Sequence, residues 1–468
     1  MRKIYWYITA YIKKHGLTFF ASVVFAILLF SVLIPLLGKR ITVKQKKFVG
    51  IVGEYTLSSL PPEIKNKLSV GLTKIEPEDQ SVKPLVAQRW ITQDEGKTFR
   101  FTLKKAIKGQ DGQELVPADV NYNFKDVETI TTPNDVIFKL PDQFAPFPSV
   151  VAEPLFKQGT KNYLFFFKKP TLIGIGPAKV SSYTLKNNHL TEMVVDSPEE
   201  RTIYRFYLTE KDAILGFKKG EVDYLPDLTN PEDLLNWDQV VIEEKINYDQ
   251  YLAIFFNNSD PLFNKNIRQA LSYAVDKPDE PLRAIGPINP NSWAYLEGGK
   301  DYDQDYDRAV ERLLDGLPPK RLDLTLTTTS VFIPEAEEVK QQWEQLGQRA
   351  YQACQSDEDV ENKQLCEHVN ISTNIKVTNF PDTQNYQLLL MGQEIPVDPD
   401  QYFLWHSDQS TNFTNYQNTR IDSLLEKGRQ TIDQNKRKEV YQEFQQFLLE
   451  DPPAIFLRHL VSFDVKRD

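Results

Sequence analysis

YLAIFFNNSDPLFNKNIRQALSYAVDK, residues 251–277, is the stretch that decides the fold. YLAIFF is a short unbroken apolar run with aromatic and β-branched side chains, the composition of a strand. NNSDP follows it with turn-forming residues. NKNIRQALSYAVD then places Ile267, Ala270, Leu271 and Ala274 at the spacing that lines one face of a helix. A strand leading through a tight turn into a packed helix is the unit of a mixed α/β fold.

The same alternation runs outward in both directions. FVGIVGEY, from Phe48, reads as a strand, and SSLPPEIKNKLSVGL as a turn and a short helix. RWITQDEGKTFRFTLKKA reads as a hairpin turning at Asp94 to Gly96, and PADVNYNFKDV has Pro117 and Asp119 placed to open a helix. AILGFKKGEVDYLPDL gives a helix stopped by Gly220 and then a strand. EKGRQTIDQNKRKEVYQEFQQFLLEDPPAIFL predicts one long helix, a double-proline stop and a final strand. The fold class is therefore α/β, mixed α+β, and 468 residues suffice for two or three lobes.

Hydrophobic residues are 41% and charged residues 26%, the profile of a chain that folds in water. A net charge of -10 argues against nucleic acid as a partner, because such affinity comes from basic side chains neutralising phosphates. The N-terminus departs from this profile. LTFFASVVFAILLFSVLIPLLG, residues 17–38, carries no charge and is long enough as a helix to cross a hydrocarbon core of about 30 Å. It lacks the short apolar core and small-residue site of a cleaved signal peptide, so it reads as a signal anchor. Residues 1–16 form a short cytoplasmic segment in this reading and 39–48 a basic linker. The large domain is expected outside, although the basic residues on the two flanks nearly balance.

Catalytic and metal templates fail in turn. There is no zinc helix, serine elbow, phosphate loop or dinucleotide fingerprint. DYDQDYDRAVER resembles a calcium loop until its sixth and twelfth positions, where Tyr306 and Arg312 replace the required glycine and glutamate. Its acids read better as helix caps. GQEIPVDPDQYFLWHSDQ, residues 392–409, gathers acids, aromatics and His406 but offers no assignable nucleophile. Asp398 and Asp400 around Pro399 suit a turn and cap, and His406 a structural position. No enzyme, cofactor or metal site is expected. The two cysteines, Cys354 and Cys366, lie in a polar excursion. Two thiols are too few for structural zinc, and a disulfide between them fits an oxidising compartment. Reduced thiols in a cytosolic chain are the alternative.

Taken together, several segments resemble the extracellular solute-binding proteins of family 5, the oligopeptide, dipeptide and nickel type that serves ABC importers. They are VKPLVAQRWITQDEGKTFRFTLKKAIKGQDGQELVPADVNYNF, YLAIFFNNSDPLFNKNIRQALSYAVDK and YDRAVERLLDG. The resemblance implies a two-lobed clamp of the periplasmic-binding type, with lobe I at 49–250, lobe II at 251–455 and 456–468 returning toward lobe I. The chain would cross between lobes near 247–252 and 454–460. A peptide or similar small solute would lie between the lobes, and ABC permease subunits would receive it. A membrane-tethered receptor or scaffold without transport is the alternative.

The resemblance also implies the site. Gly392, Gln393, Glu394 and Ile395 fall where the family's cleft segment meets the ligand's amino group, and Tyr55 and Trp405 are further candidate contacts. Ile395 stands where an amine-binding aspartate is typical. Either Glu394 supplies the charge or the solute has no free amine. The family's Gly-x-Gly-Pro-Tyr appears as Gly174, Ile175, Gly176, Pro177 and Ala178, without the aromatic.

Overall fold

In the structure, a computed structural model, residues 2–38, 44–163, 167–356 and 363–468 are described. Residues 39–43, the first part of the expected basic linker, and 357–362, within the cysteine excursion, lie outside the described residues.

One ten-stranded sheet organises the chain. Its strands, in chain order, are β1 (Gln45–Val52), β2 (Lys179–Lys186), β3 (His189–Asp196), β4 (Glu200–Tyr207), β5 (Tyr224–Leu228), β6 (Val240–Phe256), β7 (Leu322–Thr328), β8 (Ile371–Val377), β9 (Leu388–Glu394) and β10 (Ala454–Arg467). They lie in the order β2-β3-β4-β1-β5-β10-β6-β9-β7-β8. β1 begins at Gln45, inside the stretch read as linker.

The run YLAIFF is the C-terminal end of β6, and its side chains explain its composition. Tyr251, Ala253 and Phe255 point into one core, with Trp405, Tyr441 and Phe444. Leu252, Ile254 and Phe256 point into another, with Ile267, Leu271 and Trp343. A strand buried on both faces needs no polar alternation. Truncating Phe255 to Ala would cost about 3–5 kcal/mol. The expected helix follows at Lys265–Ala274, where the Asn264 side chain accepts from the Ile267 amide at 3.1 Å. Arg268 of this helix is buried and donates to the Phe263 carbonyl at 2.6 Å, the Pro452 carbonyl at 2.9 Å and Asp451. The double-proline turn is thereby fastened to the signature helix.

β6 and β10 pair antiparallel along nearly their whole length and join the two halves of the sheet, β2-β3-β4-β1-β5 with what packs on it, called lobe I here, and β9-β7-β8 with what packs on it, called lobe II. Val240 to Asn247 lie opposite Arg467 to Leu460, beside β5 and the rest of lobe I. Tyr251 to Phe255 lie opposite His459 to Ala454, beside β9 and lobe II. Between them the register shifts, leaving Tyr248, Asp249 and Gln250 out of the ladder. Lobe I also carries a separate four-stranded sheet, with Phe99, Phe101, Phe138 and Phe147 in its own core.

Two local expectations differ from what forms. PADV makes only a single 3-10 turn at Pro117–Asp119, with the Asp119 carboxylate accepting from the Val116 amide at 3.0 Å. The long final helix is two, Thr419–Gln430 and Gln434–Glu450, because Asp433 caps a new start by accepting from the Lys436 amide. The cysteine excursion is polar, yet Cys354 and Cys366 are themselves buried and joined to each other.

The N-terminal helix, Arg2–Gly38, is long and apolar enough at Lys13–Ser31 to cross a membrane by length and composition. Leu17, Phe20 and Phe25 on it are exposed.

Candidate functional site

Asp398 and Asp400, on either side of Pro399, line the opening between the lobes. Asp398 Oδ1 accepts from the Asp400 amide at 3.1 Å, and Asp400 Oδ1 from the Tyr402 amide at 3.1 Å, so both acids shape a turn that starts the Tyr402–Trp405 helix. Their remaining capacity goes to two arginines. Arg437 grips Asp398 through both Nη atoms, at 2.8 and 2.5 Å, and Arg429 Nε reaches Asp400 at 2.9 Å. Burial opposes the charge on Arg437, but Asp398 overrides it and holds the guanidinium above its ordinary pKa. Burial raises the Asp400 carboxyl, against the pull of Arg429. These are structural ion pairs, not a general acid and base.

Two chambers adjoin at this turn. The larger encloses about 490 Å³ and is walled by Pro62, Phe144 and Pro154 from lobe I and by Pro396, Val397 and Phe403 from lobe II. The smaller, about 130 Å³, lies between Trp90 and Phe99 on one side and Trp293 and Arg437 on the other. Pro146, Ser149 and Asp398 line both. The larger volume falls within the roughly 300–1,000 Å³ typical of ligand sites. Backbone bonds close the lobes around it, from the Ala145 amide to the Arg429 carbonyl at 2.7 Å and from the Trp293 amide to the Asp79 carbonyl at 2.9 Å.

The residues singled out in the sequence are not all brought together. Gly392, Gln393 and Glu394 end β9 opposite Leu252, Tyr251 and Gln250, and Glu394 is exposed. Ile395 is 5% exposed and packs in the core that holds Tyr251 and Trp405. Trp405 is completely buried, its ring stacked with Phe255 and tilted against Phe456, and it lines neither chamber. Tyr55 lines neither chamber; its ring packs on Phe206 and its hydroxyl donates to the Val52 carbonyl at 3.3 Å.

His406 Nδ1 accepts from the Asp408 amide at 3.2 Å, which leaves Nε2–H to face Glu426 at 3.4 Å. Asp305 caps the Tyr306–Asp315 helix by accepting from the Arg308 amide, in place of any calcium loop. Among the described residues, no cluster of His, Cys, Asp and Glu could hold a metal ion. Gly174 and Gly176 let their loop approach the end of the Pro62–Leu68 helix; a Cβ at Gly174 would stand 2.1 Å from the Leu68 carbonyl oxygen. The two arginines escaped sequence reading. Arg437 did carry a signal, since it shares the apolar face of its helix with Tyr441, Phe444 and Leu448, where a charge needs a partner.

The family model for bacterial extracellular solute-binding proteins, family 5 (middle region), matches residues 81–415. The chain belongs to the family 5 solute-binding proteins. It is similar to the dipeptide-binding protein of Escherichia coli (strain K12), at 23% identity over 88% of this chain and 86% of that one. It is also similar to the oligopeptide-binding protein AppA of Bacillus subtilis (strain 168), at 24% identity over 87% and 85%. Among solved structures, NikZ from Campylobacter jejuni in complex with Ni(L-His) superposes with a TM-score of 0.66, at 21% identity over 91% of this chain and 94% of that one. AppA from Bacillus subtilis in complex with a nonapeptide gives 0.60, at 19% identity over 91% and 95%. Family 5 proteins are two-lobed and extracytoplasmic, and they bind solutes; this one is a binding protein and not an enzyme.

Proposed function

We propose that this family 5 protein is a membrane-anchored extracytoplasmic solute-binding protein that captures a peptide or similar small solute by clamp closure and delivers it to ABC permease subunits. The observation that carries the reading is the two-chambered cleft walled by both lobes, which among the described residues only the β6–β10 pair connects as a continuous sheet. Lobe I at 49–250 and lobe II at 251–455 would be the jaws, with 456–468 returning to lobe I.

A solute that touches both jaws favours closure only through its greater affinity for the closed form, so binding and closing are one equilibrium. The half-buried Gly392 and Gln393 and the exposed Glu394, at the end of β9 beside Ile395, would offer backbone to an extended chain, in the manner of strand addition. Relatives named as dipeptide- and oligopeptide-binding support a peptide-like solute. The apolar N-terminal helix supports anchoring, with residues 1–16 cytoplasmic and the domain outside.

Hydrogen exchange on the full-length chain in micelles tests capture. A peptide pool that binds should slow exchange at the Ala145 and Trp293 amides, which bond across the lobes. Unchanged exchange at saturating peptide overturns clamp closure. Protease added to spheroplasts should digest the domain, and full protection would reverse the orientation.

A further inference from the structure

Every charged side chain that lines the two chambers already has an opposite charge in contact with it. Asp398 is held by Arg437, Asp400 by Arg429, and Glu153 by Lys65 at 2.7 Å. The rest of the larger chamber is largely proline, phenylalanine and aliphatic surface. Resting on the solute-capture reading, we infer that the clamp selects uncharged, apolar peptide-like solutes, blocked or cyclised so that no free ammonium or carboxylate enters the cleft.

An ammonium entering either chamber loses its water and meets no unpaired carboxylate. To reach Asp398 it would have to replace a two-pronged guanidinium that is itself almost wholly buried, stranding that charge. A free carboxylate end is poorly served too, because Arg437 is committed to Asp398 and at Lys65 the carboxylate would have to compete with Glu153. Two other acids lie near the cleft segment, and neither lines a chamber. Glu394 is exposed at the end of β9. Asp249 sits where β6 leaves its ladder, and its Oδ1 already accepts from Gln80 of lobe I at 3.3 Å and Asn289 of lobe II at 2.8 Å. Position 395, beside Asp249, contributes a buried isoleucine. What remains to supply affinity is apolar area removed from water together with backbone hydrogen bonds, and blocked peptides provide both without a desolvation penalty for charged ends.

The test is calorimetry on the full-length chain in micelles with one pool of short peptides of alanine, phenylalanine and proline, prepared in two forms. One form is acetylated and amidated; the other has both ends free. The blocked form should bind about tenfold tighter or more, the ratio expected when a charged end loses hydrogen bonds it cannot replace. Val397→Asp adds an unpaired carboxylate to the larger chamber at a position 40% exposed, where the fold tolerates it. That variant should shrink or invert the preference, and Val397→Asn should keep it. Equal or tighter binding of the free form by the wild type overturns the neutral-solute inference and leaves solute capture standing, as does a preference that Val397→Asp fails to move. Binding of neither form overturns peptide capture itself, and the inference falls with it.

Discussion

The amide of Ile395 donates to the carbonyl of Asp249 at 2.7 Å, so the segment that walls the cleft hangs directly from the strand shared by both lobes. The Asp249 carboxylate adds a second tie at the same point, holding Gln80 of lobe I and Asn289 of lobe II together.

Replacing Asp249 by Ala removes the acceptor from two buried amides, since Gln80 and Asn289 are 8% and 3% exposed. The closed form should lose about 1.5–3 kcal/mol, the range for hydrogen bonds to a charged group. Exchange at the nearby Trp293 amide should speed up without any change in the lobes' own core amides. Identical exchange in variant and wild type would remove the tie from the account.

His459 makes this crossing sensitive to acid. It is buried opposite Tyr251, its Nδ1–H donates to the Gln250 carbonyl at 3.1 Å, and Tyr248 stands edge-on to its ring. Burial lowers its pKa below the ordinary 6.5, while the Gln250 bond and the charge of Asp249 pull the other way. A depressed histidine stabilises the fold fully above its unfolded value, and that share is lost as pH falls through it toward the lower folded pKa. Urea unfolding at about pH 8 and about pH 5 should show a larger loss on acidification in wild type than in His459→Gln. Equal losses would show that this ring does not titrate on unfolding.

Arg437→Ala should be the most damaging single change in the cleft floor. It leaves Asp398, with a side chain 11% exposed, without its cation, and breaking such a pair costs about 3–5 kcal/mol. Arg437→Lys should recover only part, because an ammonium cannot reproduce the two-pronged grip or the bond to the Gly428 carbonyl. Full recovery by lysine in thermal unfolding would argue that charge alone holds the turn.

The Cys354–Cys366 bridge closes a loop with a sequence separation of 12, and such a loop is worth about 3 kcal/mol by chain entropy. A non-reducing peptide map of freshly isolated protein should contain one linked fragment, and reduction should lower stability while leaving peptide affinity unchanged. Two alkylatable thiols would count against both the bridge and an oxidising location.

Sequence reading served best where one segment's own pattern decides its structure. The strand at Tyr251, the capped helix from Lys265 and the hairpin across Asp94 each carry a local periodicity or turn signal. It failed where the partner is distant. The strand read at YLAIFF extends back through the polar stretch VVIEEKINYDQ to Val240, because β10 lies alongside to share its hydrogen bonds. Asp398 and Asp400 read correctly as turn formers, but their arginines come from helices 39 and 29 residues away. Trp405 illustrates the same limit, because its burial against Phe255 of β6 becomes visible only once the strand it packs on is known.

The short run between the N-terminal helix and β1 has a mechanical consequence. The helix ends at Gly38 and β1 starts at Gln45, so even a fully extended connection reaches no more than about 25 Å. β1 is an interior strand of lobe I, paired with β4 and β5 on its two sides. With the helix in a bilayer, as proposed, lobe I rides on a short leash near the surface and lobe II becomes the free jaw. If it serves a permease, as proposed, a protein so anchored would find it by sliding in two dimensions rather than by diffusing through the surrounding volume, and such tethering would raise the concentration each sees of the other.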